Sequence, residues 1–81
     1  MEKQEILDQM QSIFRKVFNN ENLVITMETT ADDVDEWTSL TYMQLIIEQQ
    51  EVFKVKYSLR DMLAFKSVGD MVDFIYKVKN A

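Results

Sequence analysis

The chain has 81 residues and a mass of 9.6 kDa, a size that predicts one domain over residues 1–81. Of its residues 47% are hydrophobic and 28% charged, which is a globular composition. It contains no Cys and no His, which excludes disulfides, thiolate or imidazole metal sites, and every catalytic triad that needs these side chains. Its net charge of −5 argues against nucleic acid as a partner and favours a basic protein surface.

The start of the chain and its apolar content bear on its location. The sequence begins Met1-Glu2-Lys3 and contains no long apolar run. A signal peptide needs a basic start and an apolar stretch, and a transmembrane helix needs about 18 consecutive apolar residues. We therefore expect neither segment, and we expect a monomer in the cytoplasm.

Acidic residues are concentrated in the middle of the chain. Residues 17–53 contain eight acids and neither Lys nor Arg: Glu21, Glu28, Asp32, Asp33, Asp35, Glu36, Glu48 and Glu51. This stretch is interpreted either as an ordinary solvated surface or as an acidic face that binds a basic partner. The acids at positions 32–36 lack the order and the distal Glu of a calcium loop, so no metal site is expected.

The first third of the chain predicts a helix and a long loop. Apolar residues recur at helical spacing from Ile6 to Phe18, which predicts an amphipathic helix over about residues 3–18. The amide-rich stretch 19–22 competes for backbone hydrogen bonds and predicts the end of this helix. Residues 19–37 are then a long connection, of a kind that is often functional. Its expected inward anchors are Leu23, Ile25 and Met27.

The remaining residues predict three further helices. A second helix is expected from Thr38-Ser39 to about Phe53, with an apolar stripe of Leu40, Met43, Ile46, Ile47 and Phe53. Capping boxes at 58–61 and 67–70 open a short third helix and a fourth helix. The expected inward residues of these two helices are Leu59, Met62, Leu63, Val68, Met71, Val72, Ile75 and Val78.

Together these elements predict an all-α fold, a small up-and-down four-helix bundle with a long first loop and a short third helix. Its interior between the second and fourth helices is expected to be lined by Leu40, Met43, Ile46, Phe53, Val68, Val72 and Ile75.

Ser39 is the candidate functional residue, since it follows the acidic loop and lies at the start of a helix. One interpretation is a helix cap, because Ser and Thr at this position accept hydrogen bonds from free backbone N–H groups. The other is a hydroxyl displayed for modification, because a helix N-terminus stabilises a phosphodiester. Thr38 could supply the cap and leave Ser39 free.

The segment around Ser39 matches a known pattern. It reads Asp35-Glu36-Trp37-Thr38-Ser39-Leu40, followed by Leu45-Ile46 and Phe53. This segment resembles the phosphopantetheine-attachment segment of acyl carrier proteins, which typically reads Asp-Ser-Leu, then apolar residues at helical spacing, then a closing Phe. The stretches 53–58 and 67–72 are similar to the family's link into its third helix and to the start of its fourth.

The resemblance implies a fold and a function. The family is an up-and-down four-helix bundle that catalyses nothing itself, and its interior can take up part of an acyl chain. Ser39 would receive phosphopantetheine from coenzyme A through a phosphopantetheinyl transferase, and the arm would carry acyl groups as thioesters. Partners would be enzymes of fatty-acid, polyketide or related acyl metabolism that load and transfer acyl groups through basic docking surfaces. The docking residues would be Asp35, Glu36, Leu40, Met43, Glu48 and Glu51.

The chain also departs from the family's pattern. Thr38 replaces the usual Asp before the serine, Gln44 and Gln50 stand at positions that are often acidic, and Gln49 stands at a usually apolar position. These differences suggest a specialised pathway rather than the main fatty-acid carrier. Two alternatives stay open: an unmodified helical interaction domain with an acidic docking face, and a regulator or enzyme subunit that docks by that face.

Overall fold

The computed structural model describes residues 1–81 and contains four helices and no strand. The helices are α1 (Lys3–Phe18), α2 (Ser39–Phe53), α3 (Leu59–Ala64) and α4 (Val68–Lys79). This architecture confirms the predicted all-α four-helix bundle with a long first loop and a short third helix. None of the helices combines the length and the apolar character that crossing a membrane requires.

Helix α1 ends at Phe18 and is capped by Asn19, as the amide-rich stretch predicts. Asn19 adopts a left-handed backbone conformation with φ of 52°, and its N–H group donates to the carbonyl groups of Arg15 and Lys16. Asn enters this conformation more readily than most residues, because its short polar side chain hydrogen-bonds locally. The buried face of α1 consists of Ile6, Met10, Ile13, Phe14 and Phe18.

The first loop is attached to the bundle through its backbone. The Leu23 carbonyl accepts a hydrogen bond from Arg15 Nε at 2.7 Å, and the Ile25 N–H donates to Gln11 Oε1 at 2.8 Å. Ile25 is buried, and Leu23 and Met27 are half-buried and pack against the core, so all three are inward anchors as predicted. The loop also contains a 3₁₀ turn over Ala31–Asp33 that the sequence did not predict, since three polar or small residues show no periodicity.

The core lies where α2 and α4 face α1. The residues of α2 that are buried in it differ from the predicted apolar stripe. Leu45, Ile46 and Phe53 are buried on α2, whereas Leu40 is 71% exposed and Met43 49% exposed. Ile47 and Val78 are also exposed. The prediction was wrong for Leu40, Met43 and Ile47 because apolar residues occur on both faces of α2, so spacing alone did not select the inward face. It was also wrong for Val78, which lies in the last turn of α4. Five predicted interior residues are buried as expected: Ile46, Phe53, Val68, Val72 and Ile75.

Helix α3 also differs from the prediction. Leu59 and Leu63 are exposed rather than inward, and no residue of this helix is fully buried. The interior beside it is filled instead by Tyr57 and Phe65, which flank the helix and meet edge to face at 5.1 Å between ring centroids. The short helix therefore lies on the surface of the bundle.

The two predicted capping boxes have different outcomes. Ser58 Oγ accepts from the Asp61 N–H at 3.1 Å, and the Asp61 carboxylate accepts from the Ser58 N–H at 2.9 Å, so the first box is complete. Ser67 Oγ accepts from the Asp70 N–H at 3.3 Å. The Asp70 carboxylate, however, accepts from the N–H of Lys66 at 2.8 Å, one residue earlier than a box requires. The second box is therefore only half formed.

Candidate functional site

Ser39 is the first residue of α2, and its neighbour Thr38 caps the helix. Thr38 Oγ1 accepts from the Thr41 N–H at 3.2 Å, while Thr41 Oγ1 accepts from the Thr38 N–H at 2.7 Å. Ser39 is exposed, and its hydroxyl makes no hydrogen bond within the chain. The capping role therefore belongs to Thr38, and the hydroxyl of Ser39 is free.

The backbone around Ser39 favours a negative charge. The Tyr42 N–H donates to the Thr38 carbonyl at 2.8 Å, and the Thr41 N–H is held by the cap. Ser39 and Leu40 lie in the first turn of α2, where backbone N–H groups have no acceptor within the helix. Their N–H groups have no acceptor elsewhere in the chain either. Free N–H groups and the positive end of the helix dipole stabilise an anion at this position. A phosphodiester on the hydroxyl of Ser39 fits these donors.

The segment before Ser39 is fixed by Trp37. Its half-buried ring meets Phe14 edge to face at 5.3 Å between centroids and lies 6.5 Å from the ring of Phe18. The hydroxyl of Thr41 donates to the carbonyl of Glu36 at 2.7 Å. These contacts hold the end of the first loop against α1 and α2, and so they set where Ser39 emerges.

An open groove of about 540 Å³ lies beside Ser39, between the start of α2 and α3. The rings of Trp37 and Tyr42 are stacked along it, with centroids 6.4 Å apart. The Tyr42 hydroxyl donates to the Met62 carbonyl at 2.6 Å and so links α2 to α3. Residues from four segments line the groove: Ala31, Trp37, Thr38, Ser39, Tyr42, Met62, Leu63, Phe65 and Lys66.

The predicted acidic docking residues have different surroundings. Asp35 is exposed, and the half-buried Glu36 accepts from Asn20 Nδ2 at 3.2 Å. Glu48 forms an ion pair with Lys16 Nζ at 2.7 Å, whereas Glu51 is exposed and has no ion pair. The hydrogen bond and the charge of Glu48 raise the pKa of Lys16. One of the two acids on α2 is thus already matched by a base of the same chain.

The acids of α2 are distant from Ser39 along the helix axis. A rise of about 1.5 Å per residue places Glu48 about 14 Å and Glu51 about 18 Å from Ser39. Asp35 and Glu36 are its near neighbours in the sequence. Nowhere do three His, Cys, Asp or Glu side chains come together in a way that could hold a metal ion.

An exposed apolar row begins next to Ser39. Leu40, Met43 and Ile47 are exposed and follow one another at spacings of three and four residues, so they share a face of α2. Sequence reasoning named Leu40 and Met43 as docking residues but did not include Ile47, although the spacing was available. It did not identify the groove residues of α3, because no local pattern places that helix beside Ser39.

The fold and the sequence match an acyl carrier protein. The chain is similar to the solution NMR structure of holo acyl carrier protein from Geobacter metallireducens, with a TM-score of 0.82 and 41% sequence identity. The match covers 88% of this chain and 82% of that chain. No protein-family model and no curated protein matches. Identity at this level over most of both chains is sufficient to show a common family, and the chain therefore belongs to the acyl carrier protein family.

Proposed function

We propose that residues 1–81 act as a single carrier domain that accepts phosphopantetheine on Ser39 and holds acyl groups for partner enzymes of fatty-acid, polyketide or related acyl metabolism. The observation that carries this proposal is the free, exposed hydroxyl of Ser39 at the N-terminus of α2. The similar chain from Geobacter metallireducens is a holo acyl carrier protein, which supports the assignment.

Attachment uses the hydroxyl of Ser39 as the nucleophile. With a separate transferase removing its proton, Ser39 Oγ attacks the phosphorus of coenzyme A next to the pantetheine. One phosphodiester bond forms to Ser39, and the bond to adenosine 3′,5′-bisphosphate breaks. The N–H groups of Ser39 and Leu40 would then face the phosphodiester charge, and Thr38 keeps α2 capped throughout.

The chain's own residues would support the attached arm. The groove beside Ser39 offers the apolar faces of Trp37, Tyr42 and Leu63. When bound, the group supplies a thiol that holds an acyl group as a thioester. The chain has no Cys, so it offers no competing thiol of its own.

Partner enzymes are proposed to approach the face that surrounds Ser39. Its acids favour a basic partner surface and its exposed apolar row adds contact area. The proposed docking residues are Asp35, Glu36, Leu40, Met43, Glu48 and Glu51. Exposed charge pairs contribute only about 0.2–1 kcal/mol each, so these contacts are expected to be brief, as a shuttle requires.

Intact mass tests the proposed function directly. Incubation with coenzyme A and a broad-specificity transferase should add one phosphopantetheine to the wild-type chain, and Ser39→Ala should abolish the addition. Ser12→Ala removes another exposed serine, on α1, and should leave the addition unchanged. A wild-type chain that stays unmodified with several transferases would support the alternative, an unmodified helical interaction domain with an acidic docking face.

A further inference from the structure

A polar bridge lies inside the bundle. Gln49 of α2 has no exposed surface, and its Oε1 accepts a hydrogen bond from the Tyr57 hydroxyl at 2.8 Å. Its Nε2 donates to Met71 Sδ of α4 at 3.3 Å. No buried side-chain nitrogen or oxygen of the chain lacks a partner. The bridge therefore joins α2, α4 and the link before α3 through polar atoms that each have a hydrogen-bond partner.

The space around this bridge is filled. Tyr57 meets both Phe65 and Phe74 edge to face, each at 5.1 Å between ring centroids. The structure has four cavities, and none of them is lined by Gln49, Tyr57 or Met71. An acyl tail could therefore enter here only by separating these side chains.

Separating the bridge would be unfavourable for an apolar tail. The amide of Gln49 and the hydroxyl of Tyr57 would lose their partners while remaining buried, and buried polar groups without hydrogen bonds are costly. Tyr57 is itself buried, so its phenol is already removed from water, and this burial raises its pKa. A methylene chain offers neither donor nor acceptor to replace the lost bonds.

A hydrogen bond also spans the side of the interior that faces Ser39. The Tyr42 hydroxyl donates to the Met62 carbonyl at 2.6 Å, which joins α2 to α3 beside Ser39. The groove in front of this bond is open and has Trp37, Leu63 and Phe65 along it. An acyl group attached through Ser39 thus has an apolar surface available outside the bundle.

We propose that this carrier holds its acyl cargo outside the helical bundle, in the groove beside Ser39, and that Gln49 and Tyr57 keep apolar tails out of the interior. The inference rests on the proposed function and specifies which acyl groups the carrier holds. Methylenes that extend beyond the groove stay in water, and their exposure is unfavourable. The favoured cargo is therefore a short or polar acyl group, and the interior uptake that the family resemblance implies does not apply to this chain.

Nuclear magnetic resonance of loaded protein tests this inference. Ser39 is loaded with butyryl- or octanoyl-phosphopantetheine from the corresponding coenzyme A thioesters. In both forms we expect the Trp37 indole and the Leu63 methyl resonances to move relative to the unacylated form. The side-chain amide of Gln49 and the methyl group of Met71 should not move. Movement of these two resonances in the octanoyl form would overturn the inference.

A variant with an apolar bridge provides the matched control. Gln49→Leu combined with Tyr57→Phe replaces both polar groups by apolar groups of similar size, which removes the cost of separating them. In this variant octanoyl should shift the Met71 methyl resonance and raise the melting temperature above that of the butyryl form. The wild-type melting temperature should be the same for both. A variant that behaves like the wild type would show that the polar bridge does not exclude the tail.

An experiment that needs no transferase separates this inference from the proposed function. Because the chain has no Cys, Ser39→Cys introduces a single thiol that can be alkylated with a dodecyl reagent. Failure of the transferase to load Ser39 would contradict the proposed function alone. Movement of the Gln49 and Met71 resonances on alkylation would contradict the inference alone, and unmoved resonances would support it.

Discussion

The main-chain N–H of Gly69 donates a hydrogen bond to the carbonyl oxygen of Met27 at 2.7 Å. The neighbouring Val68 N–H donates to the Thr29 carbonyl at 2.9 Å. The first N–H groups of a helix have no intrahelical acceptor, so the first loop supplies acceptors for the start of α4. These two hydrogen bonds attach the long loop that leads to Ser39 to the N-terminus of α4.

Gly69→Ala is expected to destabilise the fold through this contact. A Cβ at position 69 would lie 2.7 Å from the Met27 carbonyl oxygen, which belongs to the backbone and cannot rotate away. Overpacking of this kind costs about 1–3 kcal/mol. Urea unfolding measures the loss. Lys77→Ala on the exposed face of the same helix should stay within about 0.5 kcal/mol of the wild type. Equal midpoints for Gly69→Ala and Lys77→Ala would contradict the predicted clash.

The parts of the fold that the sequence predicted depend on local interactions. The end of α1 at Asn19 and the start of α3 at Ser58 rest on hydrogen bonds between residues no more than four positions apart. The residue types in such short segments determine which bonds can form. The candidate serine was also recognisable, because its motif is contiguous in the sequence.

The parts that the sequence did not predict depend on distant residues. Gln49 is buried because Met71, 22 positions away, and Tyr57 supply its hydrogen-bond partners. The groove beside Ser39 combines residues of the first loop, α2, α3 and the link to α4. Local periodicity in α2 could not indicate which of its two apolar faces points inward, and the packing of α1 and α4 decides this.

Thr38→Ala separates helix capping from modification. Loss of the Thr38 side chain removes the acceptor for the Thr41 N–H, and the loss of such a cap costs about 0.5–2 kcal/mol. The hydroxyl of Ser39 remains exposed, so phosphopantetheine transfer should continue at a rate close to that of the wild type. Urea unfolding and intact mass measure the two effects. Thr38→Asp keeps a capping side chain and should retain wild-type stability. Complete loss of transfer in Thr38→Ala would mean that the cap itself is required for recognition.

The protein is expected to lose stability in alkaline solution. Burial raises the pKa of Tyr57 and of Tyr42 above the ordinary value of 10.0. Above that pH the unfolded chain releases phenol protons that the folded chain retains, so the free energy of unfolding falls as pH rises. Below about pH 10 this contribution is fully present. The urea midpoint should therefore be constant from neutral pH to about pH 10 and then decline.

Tyr57→Phe is the control for alkaline unfolding. This variant should show a shallower decline above about pH 10, because one of the raised phenols is gone. It should also be less stable at neutral pH by about 1–3 kcal/mol, since Gln49 Oε1 loses its donor. Lys16, whose pKa Glu48 raises, contributes in the same direction, so some decline should remain. Identical slopes for the variant and the wild type would contradict the role of Tyr57.

Two leucines of α2 are expected to respond in opposite ways to truncation. Leu45 has no exposed surface, so Leu45→Ala should cost about 2–5 kcal/mol of stability. Leu40 is 71% exposed and lies next to Ser39, so Leu40→Ala should keep stability within about 0.5 kcal/mol. Its transfer rate should nevertheless fall, because the proposed docking contact is lost. A Leu40→Ala variant with the wild-type transfer rate would remove Leu40 from the docking surface.

Electrostatic steering by α2 is expected to depend more on Glu51 than on Glu48. Glu48 is paired with Lys16 at 2.7 Å, whereas Glu51 is exposed and unpaired, so its charge remains available to a basic partner. Glu51→Lys should slow phosphopantetheine transfer about two- to fivefold at low salt, as the loss of an exposed charge pair predicts. The effect should fade as salt rises, because the screening length is about 10 Å at 0.1 M.

A charge control distinguishes local docking from the net charge of the chain. Glu21→Lys changes the net charge by the same amount on the exposed part of the first loop and should leave the transfer rate unchanged. Combining Glu48→Lys with Glu51→Lys should slow transfer further while circular dichroism reports unchanged helix content. The combined reversal also releases Lys16, which adds one more unpaired base beside the two introduced lysines. If this variant is modified at the wild-type rate at low salt, the acids of α2 serve solubility and do not steer partners.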